Sequence, residues 1–288
     1  MNDTGQPDYY TVIIDGTLAE PFITKSGANL YTLATGLTNG SHRVELYRRT
    51  EASFGPTVLL EVTVEGGQLE QAPKMPERFI EVVGDSITCG YGNLGESSSC
   101  SFSSDTEDHY QTYGVFLAKR FDAELSTVAW SGRGVVSNYN GEVSYDRMPT
   151  LYDRAVPGER RSLWDFHTKP QAVIINLGTN DYSTNHDPTD ADFVSTYVGL
   201  LANIRGHYPD AYILCTVGPM LSGTDLTKVR TTIAEAVAER AASGDSNVEA
   251  YDLLTSNDNP GCDYHPNPST HQAIADELAL KLKEHLGW

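Results

Sequence analysis

Apolar positions in the first quarter of the chain recur in short, strand-length runs. YYTVIIDG from Tyr9, HRVELYRR after an Asn39-Gly40 turn signal, and TVLLEVTVEGG are β-rich, with alternation clearest at Val44 and Leu46 and at Leu60, Val62 and Val64. They predict a small antiparallel β unit over residues 1–75. The stretch LEQAPKMPERF, broken by Pro73 and Pro76, reads as the connector into a larger unit over residues 76–288. There the pattern changes. Strand-like FIEVVG, ELSTVAW, QAVIINLG, AYILCTVG and NVEAYDL alternate with helical patterns at YQTYGVFLAKRF, Asp190 to His207 and Leu226 to Ala242. A final helix beginning near Ser269 carries Ile274, Leu278, Leu282 and Leu286 at i, i+4 spacing. This alternation predicts an α/β domain of three layers, a central parallel sheet with helices on both faces.

Charge narrows the range of partners. Against 20 Lys and Arg stand 39 Asp and Glu, a net charge of -19, which disfavours nucleic acid and anionic lipid surfaces. No apolar run approaches the roughly 20 residues of a membrane span, and the opening residues lack a basic-then-apolar leader pattern, so a soluble chain without a membrane partner is expected. Four cysteines are too scattered for a disulfide scaffold or a paired zinc site. Cys215, inside AYILCTVG, reads as a buried thiol, while a bridge among Cys89, Cys100 and Cys262 does not follow from spacing.

The candidate chemistry lies where strands end. In EVVGDSITCGY a β-rich run stops at Gly-Asp-Ser and passes into Gly-punctuated sequence, placing Ser86 at the carboxyl end of a strand. A following helix N-terminus would offer N–H groups to an oxyanion there. The second Gly-Asp-Ser, at Gly244 to Ser246, follows a helical pattern and reads as a helix end and turn. A serine needs a base. His265 in DYHPN is the best placed of eight histidines, His186 is its rival, and His271 reads as structural within the last helix. Ser131-Gly132-Arg133-Gly134 follows ELSTVAW, and Thr179-Asn180-Asp181 follows QAVIINLG. Each could be a simple turn or helix cap, or could supply oxyanion donors, a main-chain N–H from the first and an amide from the second. Asp263 with His265 and His271 lacks a third convincing ligand, so neither a metal nor a cofactor is expected. The polar, serine-rich segment Gly95 to Asp108 reads as a long loop beside Ser86.

Ser86 in GDSIT, Gly134 in SGRG, Asn180 in GTND and His265 in DYHPN resemble, in that order, the four signature blocks of the SGNH superfamily of GDSL esterases and lipases. With LYRRTEA, VAWSGRGVV, MPTLYDR and CDYHPN, the chain looks like carbohydrate esterase family 2, which joins a β-sandwich jelly roll to an SGNH domain. The resemblance implies a reduced jelly roll in the first 75 residues, because the family's is usually longer. It implies a secreted, metal-independent serine esterase that removes acetyl groups from xylan, glucomannan or their oligosaccharides. Ser86 would be the nucleophile, His265 the base, and Ser86, Gly134 and Asn180 the oxyanion hole. Many members carry Asp three positions before the histidine, but Cys262 stands there. The acid would then be Asp263, two positions before, unless a main-chain carbonyl takes its place. A general short-chain lipase or thioesterase, or a non-catalytic carbohydrate-binding protein, are the rival functions.

Overall fold

The computed structural model describes residues 1–288. Seven short strands make up its first part: β1 (Asn2–Asp3), β2 (Tyr9–Ile14), β3 (Thr17–Leu18), β4 (Phe22–Ile23), β5 (Gly27–Ala28), β6 (Val44–Arg48) and β7 (Thr57–Val58). All pair antiparallel, in two small sheets. β5, β1 and β7 form one, while β2 is the spine of the other, pairing β6 over five residues and meeting β3 and β4 at its two ends. The buried carboxylate of Asp8, just before β2, is satisfied by Arg48, Thr50 and Thr57 side chains. A buried charge without such partners would be costly.

The run from Leu59 to Gly67 departs from expectation. Only Thr57–Val58 is a strand, and Leu59, Leu60, Val62 and Val64 are exposed. Alternation says which face a strand would bury, but a strand also needs an edge to pair with, and none meets this run.

The second part holds five parallel strands, β8 (Arg78–Gly84), β9 (Ala123–Ala129), β10 (Ala172–Asn176), β11 (Tyr212–Thr216) and β12 (Val248–Ala250), in the order β12-β11-β10-β8-β9. The chain leaves β8 for β9 on one side and then returns to build outward from β10 on the other. The switch point is the crevice between β8 and β10, where ligands bind in such sheets. Register matters as much as order. Gly84 lies opposite both Ala129 and Asn176, so β8, β9 and β10 deliver their loops from one level.

The period of two separates the faces. Val173 and Ile175 of β10 join one core with Ile213 and Cys215, while Ala172 and Ile174 join the other with Tyr212 and Leu214. The first core is covered by α3 (Met148–Leu151), α5 (Asp190–His207) and α6 (Gly223–Ala242), the second by α2 (Tyr113–Phe121) and α7 (Pro268–Leu286). α5 presents Phe193, Tyr197, Leu200, Leu201 and Ile204 to the first core. Each such side chain, fully buried, contributes about 1.5 to 3 kcal/mol. α7 starts where Asn267 caps the Thr270 N–H and Pro268 opens the first turn. α6 ends before Gly244, whose positive φ turns the chain, so the second Gly-Asp-Ser is a helix exit.

Candidate active site

Two four-residue helices, α1 (Ser86–Cys89) and α4 (Thr179–Tyr182), begin at the ends of β8 and β10. Asp85 caps α1 by accepting the Ile87 N–H at 3.1 Å, and Gly90, in the left-handed region, closes it. Ser86 is therefore the first residue of α1, and its N–H has no partner within the protein.

His265, 179 residues further along the chain, places Nε2 2.8 Å from Ser86 Oγ. Its Nδ1 lies 3.0 Å from the main-chain carbonyl of Asp263. A carbonyl can only accept, so Nδ1 carries the proton and Nε2 is free to accept from the Ser86 hydroxyl. Burial pushes His265 down to about 4, chiefly by desolvation, so the ring is neutral at neutral pH. His271, by contrast, is fully buried under Tyr113, whose N–H it accepts at 3.3 Å.

The carboxylate of Asp263 is not the partner of His265. Its Oδ2 accepts the Phe102 N–H at 3.0 Å and the Tyr91 hydroxyl at 3.3 Å. The reason lies in the backbone. Asp263 and Tyr264 both have positive φ, 49° and 64°, and this turn swings the Asp263 carbonyl under the imidazole while sending the side chain away. Two consecutive non-glycine residues in the left-handed region cost on the order of 1 to 2 kcal/mol each, so something must hold them. Cys262 is bonded to Cys100, its N–H reaches the Gly92 carbonyl at 2.9 Å, and the Asp263 N–H reaches the Cys100 carbonyl at 3.0 Å. Tyr91 stacks on Phe102 with ring centroids 3.9 Å apart and lies 4.4 Å from the His265 ring. Gly95 passes so close to the disulfide that a Cβ there would run into its sulfurs. The serine-rich loop is thus a brace for the histidine turn. Cys89 and Cys215 remain free, buried thiols.

Gly134, expected as an oxyanion donor, is occupied elsewhere. Its N–H donates to Asn138 Oδ1 at 3.2 Å, and a Cβ on it would strike Asp181 and the Ser137 carbonyl. Gly132, two residues earlier in the same SGRG, is half-buried and its N–H has no partner. Asn180 stands at the crevice, yet Nδ2 already donates to Asp85 Oδ2 at 3.2 Å and to the Arg133 carbonyl at 3.0 Å. Asp181 accepts three successive N–H groups, from Val135, Val136 and Ser137, at 2.8 to 3.0 Å. Burial raises Asp85 to about 7 and Asp181 to about 6. The sequence reading gave no role to Asp85, Asp181 or Glu51. For Asp85 and Asp181 the signal is adjacency, to Ser86 and to Asn180; Glu51 has no such neighbour.

A cavity of about 290 Å³ opens beside this site, at the seam with the β unit, between Glu51, Cys89, His109, Trp130 and Arg154. Ser86 and His265 are not on its wall.

A serine on a helix start, a histidine with a fixed tautomer and unpartnered main-chain N–H groups at the switch point of a parallel sheet are the parts of an acyl-transfer site. Comparison with known proteins agrees. Residues 82–273 match the GDSL-like Lipase/Acylhydrolase family, and residues 1–73 match the Carbohydrate esterase 2 N-terminal family. The chain belongs to the GDSL-like acylhydrolases, in carbohydrate esterase family 2. It is 40% identical over 292 aligned residues to the cellulase/esterase CelE of Acetivibrio thermocellus, covering 99% of this chain and 35% of that protein. It is 30% identical to an acetylxylan esterase/glucomannan deacetylase of Cellvibrio japonicus, covering 87% of this chain and 69% of the relative. In structure it is similar to a family two carbohydrate esterase from Clostridium thermocellum solved in complex with cellohexaose. The TM-score is 0.94 at 38% identity, over 99% of this chain and 88% of that one.

Proposed function

We propose that the protein is a metal-independent serine esterase that removes O-acetyl groups from plant polysaccharides such as xylan and glucomannan, or from their oligosaccharides. The observation that carries this reading is the Ser86 Oγ to His265 Nε2 contact of 2.8 Å, with the Asp263 carbonyl fixing the tautomer. Ser86 attacks the ester carbonyl as its proton passes to His265. The imidazolium is steadied by the Asp263 carbonyl, with no carboxylate in that role. The Ser86 and Gly132 N–H groups take the oxyanion, and Asn180 joins them by turning its amide away from Asp85 or Arg133. Collapse expels the sugar hydroxyl, which receives the proton from His265, and water then releases acetate from the acetyl-serine.

Support for a sugar substrate comes from the relatives named above and from exposed Tyr139, Tyr145 and Tyr264 on the loops after β9 and beside His265. Tyrosine rings offer an apolar face with a polar tip, suited to a wet, sugar-sized cleft. No helix is long and apolar enough to cross a membrane, and action on cell-wall polysaccharide places the protein outside the cell in this reading.

The test is acetate release from acetylated xylan and acetylated glucomannan, beside acetyl and octanoyl esters of one chromophore. Release from the polysaccharides and preference for acetyl are expected. Ser86→Ala and His265→Ala should each abolish release, with the double variant no slower, because the two act as a unit. Ser246→Ala should be silent. Preference for octanoyl would overturn the substrate reading, and turnover by Ser86→Ala would overturn the mechanism.

A further inference from the structure

We propose that Glu51, supplied by the antiparallel β unit, is a positioning residue that holds together the two segments carrying the main-chain oxyanion donors. The inference rests on reading the Ser86 and Gly132 N–H groups as those donors. Glu51 follows β6, and its side chain enters the seam between the β unit and the α/β domain. Oε2 accepts the Ser131 N–H at 2.6 Å and receives the Cys89 thiol at 3.4 Å. Ser131 directly precedes Gly132, so holding its peptide anchors the chain one residue before that donor and narrows the directions the next N–H can take. Cys89 is the last residue of α1, whose first is Ser86. One carboxylate oxygen therefore touches both exits, from β8 and from β9.

The segment that carries Glu51 is itself anchored. Arg49 accepts the His109 N–H on its carbonyl at 3.1 Å, donates to the Glu107 and Asp105 carbonyls, and lies 3.4 Å from Asp108 Oδ1. The Glu51 N–H donates to Glu107 Oε2 at 3.2 Å. Burial, and then the charge of Glu51, pushes Glu107 well above the usual carboxylate range, which disfavours a second negative charge beside Glu51. A short hydrogen bond from a backbone N–H to a carboxylate is among the stronger and more directional ones available. An oxyanion donor displaced by a fraction of an ångström loses much of its transition-state value while substrate still binds.

The test uses the full chain with a chromogenic acetyl ester, comparing Glu51→Ala, Glu51→Gln and Ser86→Ala. The readouts are kcat, KM, thermal midpoint and affinity for a boronic acid that forms a tetrahedral adduct on Ser86. Glu51→Ala should lower kcat about 10- to 100-fold and weaken the boronate by a similar factor, with KM within about threefold. Glu51→Gln, which keeps an acceptor for the Ser131 N–H, should recover most of that loss. If the Ala variant does not fold, Glu51→Asp, whose carboxylate stops one methylene short, replaces it with the same expected drop. Wild-type kcat and boronate affinity in the folded variant would overturn the role of Glu51 while leaving the site reading intact. Turnover by Ser86→Ala would overturn both.

Discussion

The main-chain carbonyl of Asp263 supports Nδ1 of His265 at 3.0 Å, while the carboxylate of the same residue faces the Phe102 N–H. Side chain and backbone of one residue thus do different things. Asp263→Asn should therefore cut turnover by less than about tenfold, against up to about 10⁴-fold where a triad carboxylate is lost. Steady-state kinetics decide the matter, and a loss approaching the larger figure would put the carboxylate back on the imidazole.

Two glycines of SGRG should separate stability from rate. At Gly134 a methyl group meets Asp181 and the Ser137 carbonyl, so Gly134→Ala should lower the thermal midpoint strongly. Gly132 has open space, with Tyr139 Cβ nearest at 3.9 Å, and only its φ of 75° resists a side chain. Gly132→Ala should stay folded, at a cost on the order of 1 to 2 kcal/mol, while kcat falls as the N–H is redirected. Parallel melting curves and kinetics would check the pair, and equal effects of both changes on both readouts would count against the assignment.

The acid limb of the rate profile should lie low. Since burial pushes His265 down to about 4, the base stays neutral well below the pH at which an exposed histidine charges. The kcat/KM profile should fall toward acid with an apparent pKa nearer 4 than 6.5. The sign for stability is the same. A histidine depressed in the folded state contributes stability that is complete above about 6.5 and is lost as pH falls through about 4. An acid limb at 6.5 would mean that His265 is more solvated than its packing against Ser86 and Tyr91 implies.

The Cys100–Cys262 bridge spans 162 residues. Removing it with Cys100→Ser should cost roughly 2 to 5 kcal/mol, measurable by denaturant unfolding. Activity of the folded variant should fall as well, because Cys262 adjoins the left-handed turn that aims the Asp263 carbonyl. A variant that loses stability but keeps full turnover would show that the stacked Tyr91 and Phe102 suffice to hold that turn.

The α/β part was legible because its signals are local and redundant. β8 to β12, α5 and α7 each announce themselves by period, and α7, expected to begin near Ser269, begins at Pro268. What was missed depends on partners that sequence does not place. Leu60, Val62 and Val64 alternate correctly but have no edge to join. SGRG offers two glycines, and only the fold reveals that Asn138 has taken the N–H of Gly134. For His265 the Asp263 carboxylate and a main-chain carbonyl were both open, because every residue carries a carbonyl and only backbone shape selects one. Among Cys89, Cys100 and Cys262, the fold brings the last two to a Cα separation of 4.6 Å, a pairing that spacing could not give.

The Ser86 to His265 contact closes 179 residues of chain. Contacts of that span carry a high loop-closure cost, which falls once the intervening sheet and helices have formed. The serine can lie on a finished β8–α1 corner, with helix content and much of the core in place, while its base is still elsewhere. Hydrolysis should therefore return later than secondary structure when this molecule refolds, and the two recoveries measured on one sample should not coincide.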